Sequence, residues 1–203
     1  MTTQVALKLK PEKISKPAST FTLSVYLKKE ERSIEKHEFY NGKIIPMPGS
    51  KPKHNQIAAN LIGALKYSLR PLPKRYLVYT GDQKIYIDKA NSVLYPDALV
   101  ICEEPEYWLG IEDMIVNPLV IIEVQSKSTS NYDRKGKFML YQNLPSFTEY
   151  ILVEQTKPEI ESWYRIEKDT WNKTVCSDIN APIHLRSMDI SIALSEIYEH
   201  VKF

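Results

Sequence analysis

Two apolar segments of this sequence each carry one carboxylate where a charge is costly. Asp97 follows Pro96 and directly precedes the run Ala-Leu-Val-Ile-Cys. Glu123 lies inside a second run, between Ile122 and Val124. An unpaired carboxylate inside such a segment would cost several kcal/mol or stay protonated. Because two converging carboxylates commonly share a divalent cation, this pair predicts a metal site.

Both segments are predicted to be interior strands, since they are rich in Val and Ile and are bounded by Pro or polar loops. Side chains alternate along a strand, so Glu123 and Gln125 should share one face with Ile121. If the two strands pair, Glu123 and Gln125 line one pocket beside Asp97.

The segment after the second strand has helical spacing. Asp133, Lys137 and Tyr141 stand at i, i+4 and i+8, on one side of a helix. Lys137 can therefore lean back toward Glu123. The alternative is an exposed lysine that pairs with Asp133, worth about 0.3–0.5 kcal/mol. Tyr141 either holds Lys137 in place or is an ordinary core tyrosine.

These residues resemble a known family. Pro96-Asp97 and Glu123-Val124-Gln125 look like the PD-(D/E)XK nuclease signature, with Gln125 where that superfamily usually has lysine. The wider set is similar to the Uma-type restriction endonuclease family; it comprises residues 123–129, Asp133, Lys137, Tyr141 and Glu149-Tyr150, with Lys127 in place of a family proline. Residues 37–42 and His54 extend the resemblance to roughly residues 20–200.

The resemblance implies a Mg²⁺-dependent endonuclease, with Mn²⁺ as a substitute ion, that hydrolyses phosphodiester bonds in DNA. It also implies an α/β fold: a restriction-endonuclease-like core with a mixed central β-sheet flanked by α-helices. Asp97 and Glu123 would be the main metal ligands, with the Val124 backbone carbonyl or the Gln125 side chain as a neutral one. Lys137 would stabilise the phosphate or orient the attacking water.

Three further residues gain roles through the resemblance. Glu38, on the first arm of a hairpin, becomes a third acid at the metal site. His54, in the first turn of a helix, would contact substrate phosphate or support Glu38, and Tyr141 is the second candidate for substrate binding. Without the resemblance, Glu38 is an exposed strand carboxylate and His54 a local hydrogen-bonding group.

Two other interpretations of these residues stay open. Gln125 at the usual lysine position is compatible with a catalytically inactive module that binds nucleic acid or a protein partner. In the other case Asp97 and Glu123 are satisfied by Arg or Lys, and no metal binds.

Composition fits one domain. The chain has 203 residues, 43% hydrophobic and 26% charged, with a net charge of +2. We expect a flexible tail over residues 1–19 and one nuclease-like domain over 20–203. No apolar run reaches the ~20 residues of a membrane span. Two cysteines without metal-type spacing, and no signal-peptide core, predict a cytoplasmic protein. Since enzymes that cut both strands often work as dimers, a homodimer is a further expectation.

Basic residues cluster at 51–75 and 127–137, whereas residues 103–113 are acidic. Such runs are usually solvated faces, although a mildly basic chain permits nucleic-acid binding.

The coarse pattern predicts helices, strands and one long loop. The helices are 21–31, 54–70, a segment around Lys137, and 194–201. The strands are the arms of a hairpin within 35–47, 76–80, 84–88, the two acid-bearing runs, 149–154, 159–166, 171–175 and 183–185. Residues 103–117 are predicted to be a loop.

Overall fold

The structure, a computed structural model, describes residues 5–8, 21–126 and 132–203. Within these ranges the strands are β1 (Val5–Lys8), β2 (His37–Tyr40), β3 (Lys43–Pro46), β4 (Tyr76–Thr80), β5 (Lys84–Ile87), β6 (Ser92–Leu94), β7 (Ala98–Cys102), β8 (Met114–Ile115), β9 (Val120–Gln125), β10 (Glu149–Glu154), β11 (Ile160–Glu167), β12 (Thr170–Cys176), β13 (Pro182–Leu185) and β14 (Ile190–Ala193). The helices are α1 (Leu23–Arg32), α2 (Pro52–Leu69), α3 (Phe138–Tyr141) and α4 (Leu194–Ile197). A π-helical turn, Tyr132–Lys137, runs directly into α3, and short 3-10 turns cover Asp88–Ala90 and Trp108–Gly110.

The largest sheet has seven strands in the order β1-β12-β11-β10-β9-β7-β4. β9 and β10 are parallel, and the other neighbours are antiparallel. Parallel strands need a crossover connection. Here that crossover contains the π-turn and α3, which carries Lys137 and Tyr141 over one face of the sheet. The α/β class with a mixed sheet flanked by helices is confirmed.

The two faces of this sheet are covered by different helices. Ile122 and Val124 pack with α2 and α4 on one face, whereas Ile121 packs with Phe138 and Tyr141 on the other. The alternation expected for β9 is therefore confirmed. Burying each such aliphatic side chain contributes about 1.5–3 kcal/mol, so a one-residue slip of β9 would exchange its apolar and polar positions at large cost.

Helix α2 is set by its apolar spacing and by two prolines. Ile57, Leu61 and Leu65 are buried at i, i+4 and i+8 and form the face that packs on the sheet. Pro52 lies in the first turn, where its missing N–H costs nothing, and Pro71 follows the last turn. The helix thus begins two residues before the predicted His54 and brings that histidine to the ends of β7 and β9.

The predicted hairpin is formed by β2 and β3. Asn41 and Gly42 connect its arms with φ of 41° and 89°, the positive values that a tight hairpin turn requires. β2 then joins a second, five-stranded sheet in the order β3-β2-β6-β5-β8. α1 packs on this sheet through Tyr26, which stacks on Phe39.

Several boundaries differ from the sequence expectation. β4 and β5, the two predicted strands joined at Gly81-Asp82, belong to different sheets. The predicted loop 103–117 contains β8, which pairs with β5, and the terminal helix is shorter than predicted. β6 and β14 were not predicted, because strands of three or four residues give little periodic signal.

The prediction of a tail over residues 1–19 falls mostly outside the described residues. Val5–Lys8 are described, and they form β1, which pairs antiparallel with β12. The domain boundary at residue 20 stays a prediction. No helix among the described residues is long and apolar enough to cross a membrane.

Candidate active site

The two sequence-predicted acids lie on neighbouring strands. β7 and β9 pair antiparallel up to Ala98 opposite Ile122, so Asp97 and Glu123 follow opposite each other where the pairing ends. Asp97 Oδ2 accepts a hydrogen bond from the backbone N–H of Val124 at 2.7 Å. A carboxylate thus continues the ladder at this point in place of a backbone carbonyl. The prediction that the acids lie on adjacent strands is confirmed.

Glu123 is 3% exposed and is held by two side chains from the crossover. Its Oε1 accepts from Lys137 Nζ at 3.1 Å and from the Tyr141 hydroxyl at 3.0 Å. Burial raises the pKa of the Glu123 carboxyl well above its ordinary value, although Lys137 opposes the shift. Further acids add to the same shift: Asp133, Asp97 and Glu38.

Lys137 is 6% exposed and lies among three carboxylates. Its Nζ is 3.0 Å from Glu38 Oε1, 3.1 Å from Glu123 Oε1 and 3.9 Å from Asp133 Oδ1. Burial lowers the pKa of the Lys137 ammonium, but the surrounding acids outweigh it and the net shift is upward. The predicted orientation toward Glu123 is confirmed, and the alternative of an exposed lysine pairing only with Asp133 is wrong. We call Lys137, Glu38, Glu123 and Asp133 the acid–lysine cluster.

Glu38 joins this cluster from the second sheet. It is 4% exposed, so the alternative of an exposed strand carboxylate is wrong. Besides Lys137, its carboxylate accepts from the Tyr132 hydroxyl at 3.4 Å and from the Tyr95 N–H at 3.5 Å. Glu38 therefore ties β2 to the segment that leads into Asp97.

His54 contacts Asp97 rather than Glu38. Its Nε2 is 3.2 Å from Asp97 Oδ2, and the Val124 backbone also contributes to the electrostatics of the imidazole. Burial lowers the pKa of His54, but these partners outweigh it and the pKa is raised above its ordinary value. His54 was expected to support Glu38, but it contacts Asp97, which is itself a predicted metal ligand.

Tyr141 differs from its predicted substrate-binding role. It is 0% exposed, and its hydroxyl donates to Glu123 rather than to Lys137 or to an open surface. Burial, followed by the charge of Glu123, raises the pKa of the Tyr141 hydroxyl well above its ordinary value, so it remains a donor at neutral pH. The hydrogen bond holds the Glu123 carboxylate in place.

Gln125 shares the face of Glu123 but faces a cation that the sequence did not indicate. Its Oε1 accepts from Arg134 Nη2 at 2.7 Å, and Arg134 also pairs with Glu161. The position that usually holds lysine in the superfamily is therefore contacted by an arginine. Gln125 as a neutral metal ligand stays a prediction.

A second buried cluster adjoins the site and was missed by the sequence reasoning. Glu30, from α1, accepts from the His37 N–H at 2.9 Å and from the Tyr95 hydroxyl at 2.9 Å. Its other oxygen is 3.1 Å from His37 Nδ1. His37 precedes Glu38 and Tyr95 lies two residues before Asp97, so Glu30 fixes the approach of both acids. No local pattern distinguishes Glu30 from the exposed acid beside it.

A groove of about 870 Å³ reaches the site at His54 and Asp97. Its walls come from α2, the β2–β3 hairpin and the β4–β5 connection, and they include Lys36, Met47 and Asp82. We call it the active-site groove. Substrate approaching along it would meet Asp97 and His54 before the more deeply buried Glu123.

The oxygen donors suit a hard divalent cation in number and chemistry. Among the described residues, no three His, Cys, Asp or Glu side chains are already gathered as a metal-binding cluster. Mg²⁺ commonly binds through one or two carboxylates and keeps several waters, so the two acids with one backbone carbonyl are sufficient. Asp97 accepts from the Val124 N–H at 2.7 Å and lies 3.2 Å from His54 Nε2, so two of the residues that carry predicted ligand groups are already in contact. The ligand roles themselves stay predictions.

The chain is similar to a known family over most of its length. A family model described as "Uma2: Putative restriction endonuclease" matches residues 23–195. Two proteins of Synechocystis sp. are similar over most of the chain. Uncharacterized protein sll1609 is 32% identical over 169 residues, covering 83% of this chain and 94% of its own, and uncharacterized protein slr1290 is 30% identical over 189 residues, covering 93% and 97%.

A solved structure shows the same fold. The crystal structure of "a putative nuclease belonging to DUF820" from Anabaena variabilis superposes with a TM-score of 0.71 at 15% identity, covering 88% of this chain and 97% of that one. The restriction-endonuclease-like core expected from the resemblance is thereby confirmed. Since the family model spans most of the chain and the relatives reach 30% identity over nearly all of it, this chain belongs to the Uma2 family.

Proposed function

We propose that this protein is a metal-dependent endonuclease that hydrolyses phosphodiester bonds in DNA. The observation that carries the proposal is the position of Asp97 opposite Glu123 where the pairing of β7 and β9 ends, with the Lys137 ammonium 3.1 Å from Glu123. Membership of the Uma2 family, and a fold shared with a protein described as a nuclease, support it.

Asp97, Glu123 and the Val124 carbonyl would hold the ion. One or two Mg²⁺ ions, with Mn²⁺ as a substitute, would supply an activated water and offset charge on the phosphate and on the leaving oxygen. Hydrolysis adds that water across one P–O bond, so one product keeps the phosphate and the other gains a hydroxyl. The chain's own contribution is to orient these groups and to fix the charge around them.

Each residue near the acids has a distinct part in this proposal. Tyr141 holds the Glu123 carboxylate by donating to Oε1 at 3.0 Å. Lys137 places a positive charge beside that carboxylate, where charge stabilisation of a phosphate is commonly the largest catalytic contribution. His54, at the groove wall against Asp97, is placed to exchange a proton with a group bound in the groove. A homodimer would bring two such sites to the two strands of a duplex.

Nicking of supercoiled plasmid tests the activity. We expect the wild-type protein to nick DNA with Mg²⁺ or Mn²⁺ and to lose that activity in EDTA. Asp97→Asn and Glu123→Gln should lose it with the ion present, because each removes one ligand charge while keeping side-chain shape. Asp82→Asn is the matched control, since Asp82 lines the same groove and is 81% exposed. Activity in Glu123→Gln equal to that of Asp82→Asn would reject the proposal.

A second function has two observations in its favour. Lys137 is fully engaged with carboxylates, and Gln125 replaces the usual lysine. An engaged Lys137 and a glutamine at position 125 are both features expected of a nuclease fold that binds DNA without cutting it. Such a module would shift DNA in a gel with or without a divalent ion, and plasmid would stay supercoiled under every metal condition.

A further inference from the structure

A second concavity lies at the far end of the helix and strand that border the active-site groove. It has a volume of about 520 Å³ and is lined by the end of α2, the segment after it, and β4. Four basic side chains line it: Lys66, Arg70, Lys74 and Arg75. We call it the basic pocket.

The charge of the basic pocket is poorly compensated. Arg75 pairs with Glu104, but Lys66, Arg70 and Lys74 have no carboxylate within 4 Å among the residues that the structure describes. All three are exposed. Cations at a helix C-terminus complement the helix dipole, which accounts for Lys66 and Arg70. It does not account for Lys74, which lies beyond the helix on the connection to β4.

The basic pocket and the active-site groove share the same two elements. α2 carries His54 near its start and Lys66 in its last turn, twelve residues and roughly 18 Å apart at 1.5 Å per residue. β4 runs alongside, with Thr80 opposite Ala98 next to Asp97 and Tyr76 opposite Cys102. Four strand residues span roughly 13 Å. β4 is also the edge strand of the seven-stranded sheet, so the path between the two concavities follows an edge of the sheet.

A nucleic-acid backbone can span these distances. Successive phosphates on one strand of a duplex rise by about 3.4 Å along the helix axis while the backbone also turns around it, so roughly 13–18 Å covers a few phosphates. A phosphodiester backbone with its scissile group at Asp97 would therefore bring a more distant phosphate group to the basic pocket.

We propose that Lys66, Arg70 and Lys74 form a binding site for DNA backbone phosphates, a few nucleotides from the scissile position. The inference rests on the proposed function for its choice of polyanion, and it assigns the substrate's direction along the α2–β4 edge. The site positions DNA without reading its sequence, because it consists of flexible cations and not of groups arranged against base edges.

The test compares two triple variants with the same change in charge. In the first, Lys66, Arg70 and Lys74 become alanine. In the second, the exposed Lys28, Lys29 and Arg32 of α1 become alanine, so that two lysines and one arginine near a helix C-terminus are again lost. Neither set includes a residue of the candidate active site. Binding of a fluorescein-labelled 30-base-pair duplex is measured by anisotropy across a KCl series in EDTA, and melting temperatures check the fold.

We expect the basic-pocket variant to bind about tenfold or more weakly at 100 mM KCl. Its plot of log affinity against log salt should be shallower by about 0.9 per lost phosphate contact, hence by about 2.7 if all three are made. The α1 variant should keep the wild-type slope. Equal losses in the two variants would overturn the proposal, as would a wild-type protein that does not bind the duplex.

The binding series and the plasmid-nicking assay together separate this site from the nuclease proposal. Binding that depends on the basic pocket, in a wild-type protein that nicks no plasmid, would retain the phosphate site and reject the enzyme. Metal-dependent nicking with DNA binding that is indifferent to the basic pocket would do the reverse.

Discussion

Glu123 is a charged group in the middle of an apolar strand, and its surroundings explain how the fold accommodates it. The carboxylate is paired with Lys137 and bonded by Tyr141, so it is neither free nor in contact with bulk water. The pair is not neutral as a unit, because Glu38 shares the same ammonium. This surplus of negative charge is the feature that suits a divalent cation.

Replacing Lys137 should destabilise the protein far more than replacing a neighbouring lysine. Lys137→Ala leaves two buried carboxylates without their cation, and breaking a buried pair from one side typically costs about 3–5 kcal/mol. Lys135→Ala is the matched control: Lys135 is exposed two positions away, and such surface changes stay within about 0.5 kcal/mol. Urea unfolding in EDTA measures both. Similar unfolding free energies in the two variants would contradict a structural charge balance at Lys137.

At the scale of elements, periodicity predicted the side-chain faces but not the division into sheets. The alternation in β9, the apolar stripe of α2 and the Asn41-Gly42 turn are local signals, and each is found in the structure. The assignment of β4 and β5 to different sheets depends on partners distant in sequence, which no local pattern encodes. β8, with two residues, is too short to give a period.

The site shows the same limit. Asp97, Glu123 and Lys137 were found because acids in apolar strands and i, i+4 spacing are visible in the sequence. The contact of Arg134 with Gln125 was not predicted, because the i, i+4 pattern picks out only the face of Asp133, Lys137 and Tyr141. Glu30 was missed because its partners are brought to it only when α1 packs on the second sheet.

Glu30 should act as a positioning residue for the acids. Glu30→Ala removes the acceptor for the His37 N–H and for the Tyr95 hydroxyl, and we expect a loss of about 2–3 kcal/mol in unfolding free energy. Metal-dependent nicking should also be reduced, even at temperatures well below the melting temperature of the variant, because Glu38 and Asp97 lose their common anchor.

Two variants of the same helix serve as controls for Glu30. Glu31→Ala changes an exposed carboxylate of α1 and should alter neither stability nor nicking. Glu30→Gln keeps an acceptor oxygen and should recover part of the nicking activity. If Glu30→Ala loses stability but nicks at the wild-type rate, its function is structural and not positional.

For the whole molecule, a net charge of +2 conceals a separation of charge. Acids are concentrated where β7 and β9 end, and uncompensated cations lie at the other end of α2. A polyanion would be attracted to the second region and repelled by the first unless a cation is bound there. DNA binding and metal binding should therefore support each other across the length of α2.

Divalent ions should accordingly raise the stability of the entire fold. A ligand that binds only the native state stabilises it by about 2.7 kcal/mol at a hundredfold excess over its Kd. For a chain of this size, each kcal/mol shifts the melting temperature by about 2–4 °C, so Mg²⁺ or Mn²⁺ should raise it by roughly 5–10 °C. Asp97→Asn should abolish most of the shift while keeping an acceptor for the Val124 N–H. Scans at matched ionic strength, with KCl replacing the divalent salt, exclude general screening. A shift of equal size in wild type and Asp97→Asn would show that the ion binds elsewhere, and a shift confined to wild type would identify Asp97 as part of the metal site.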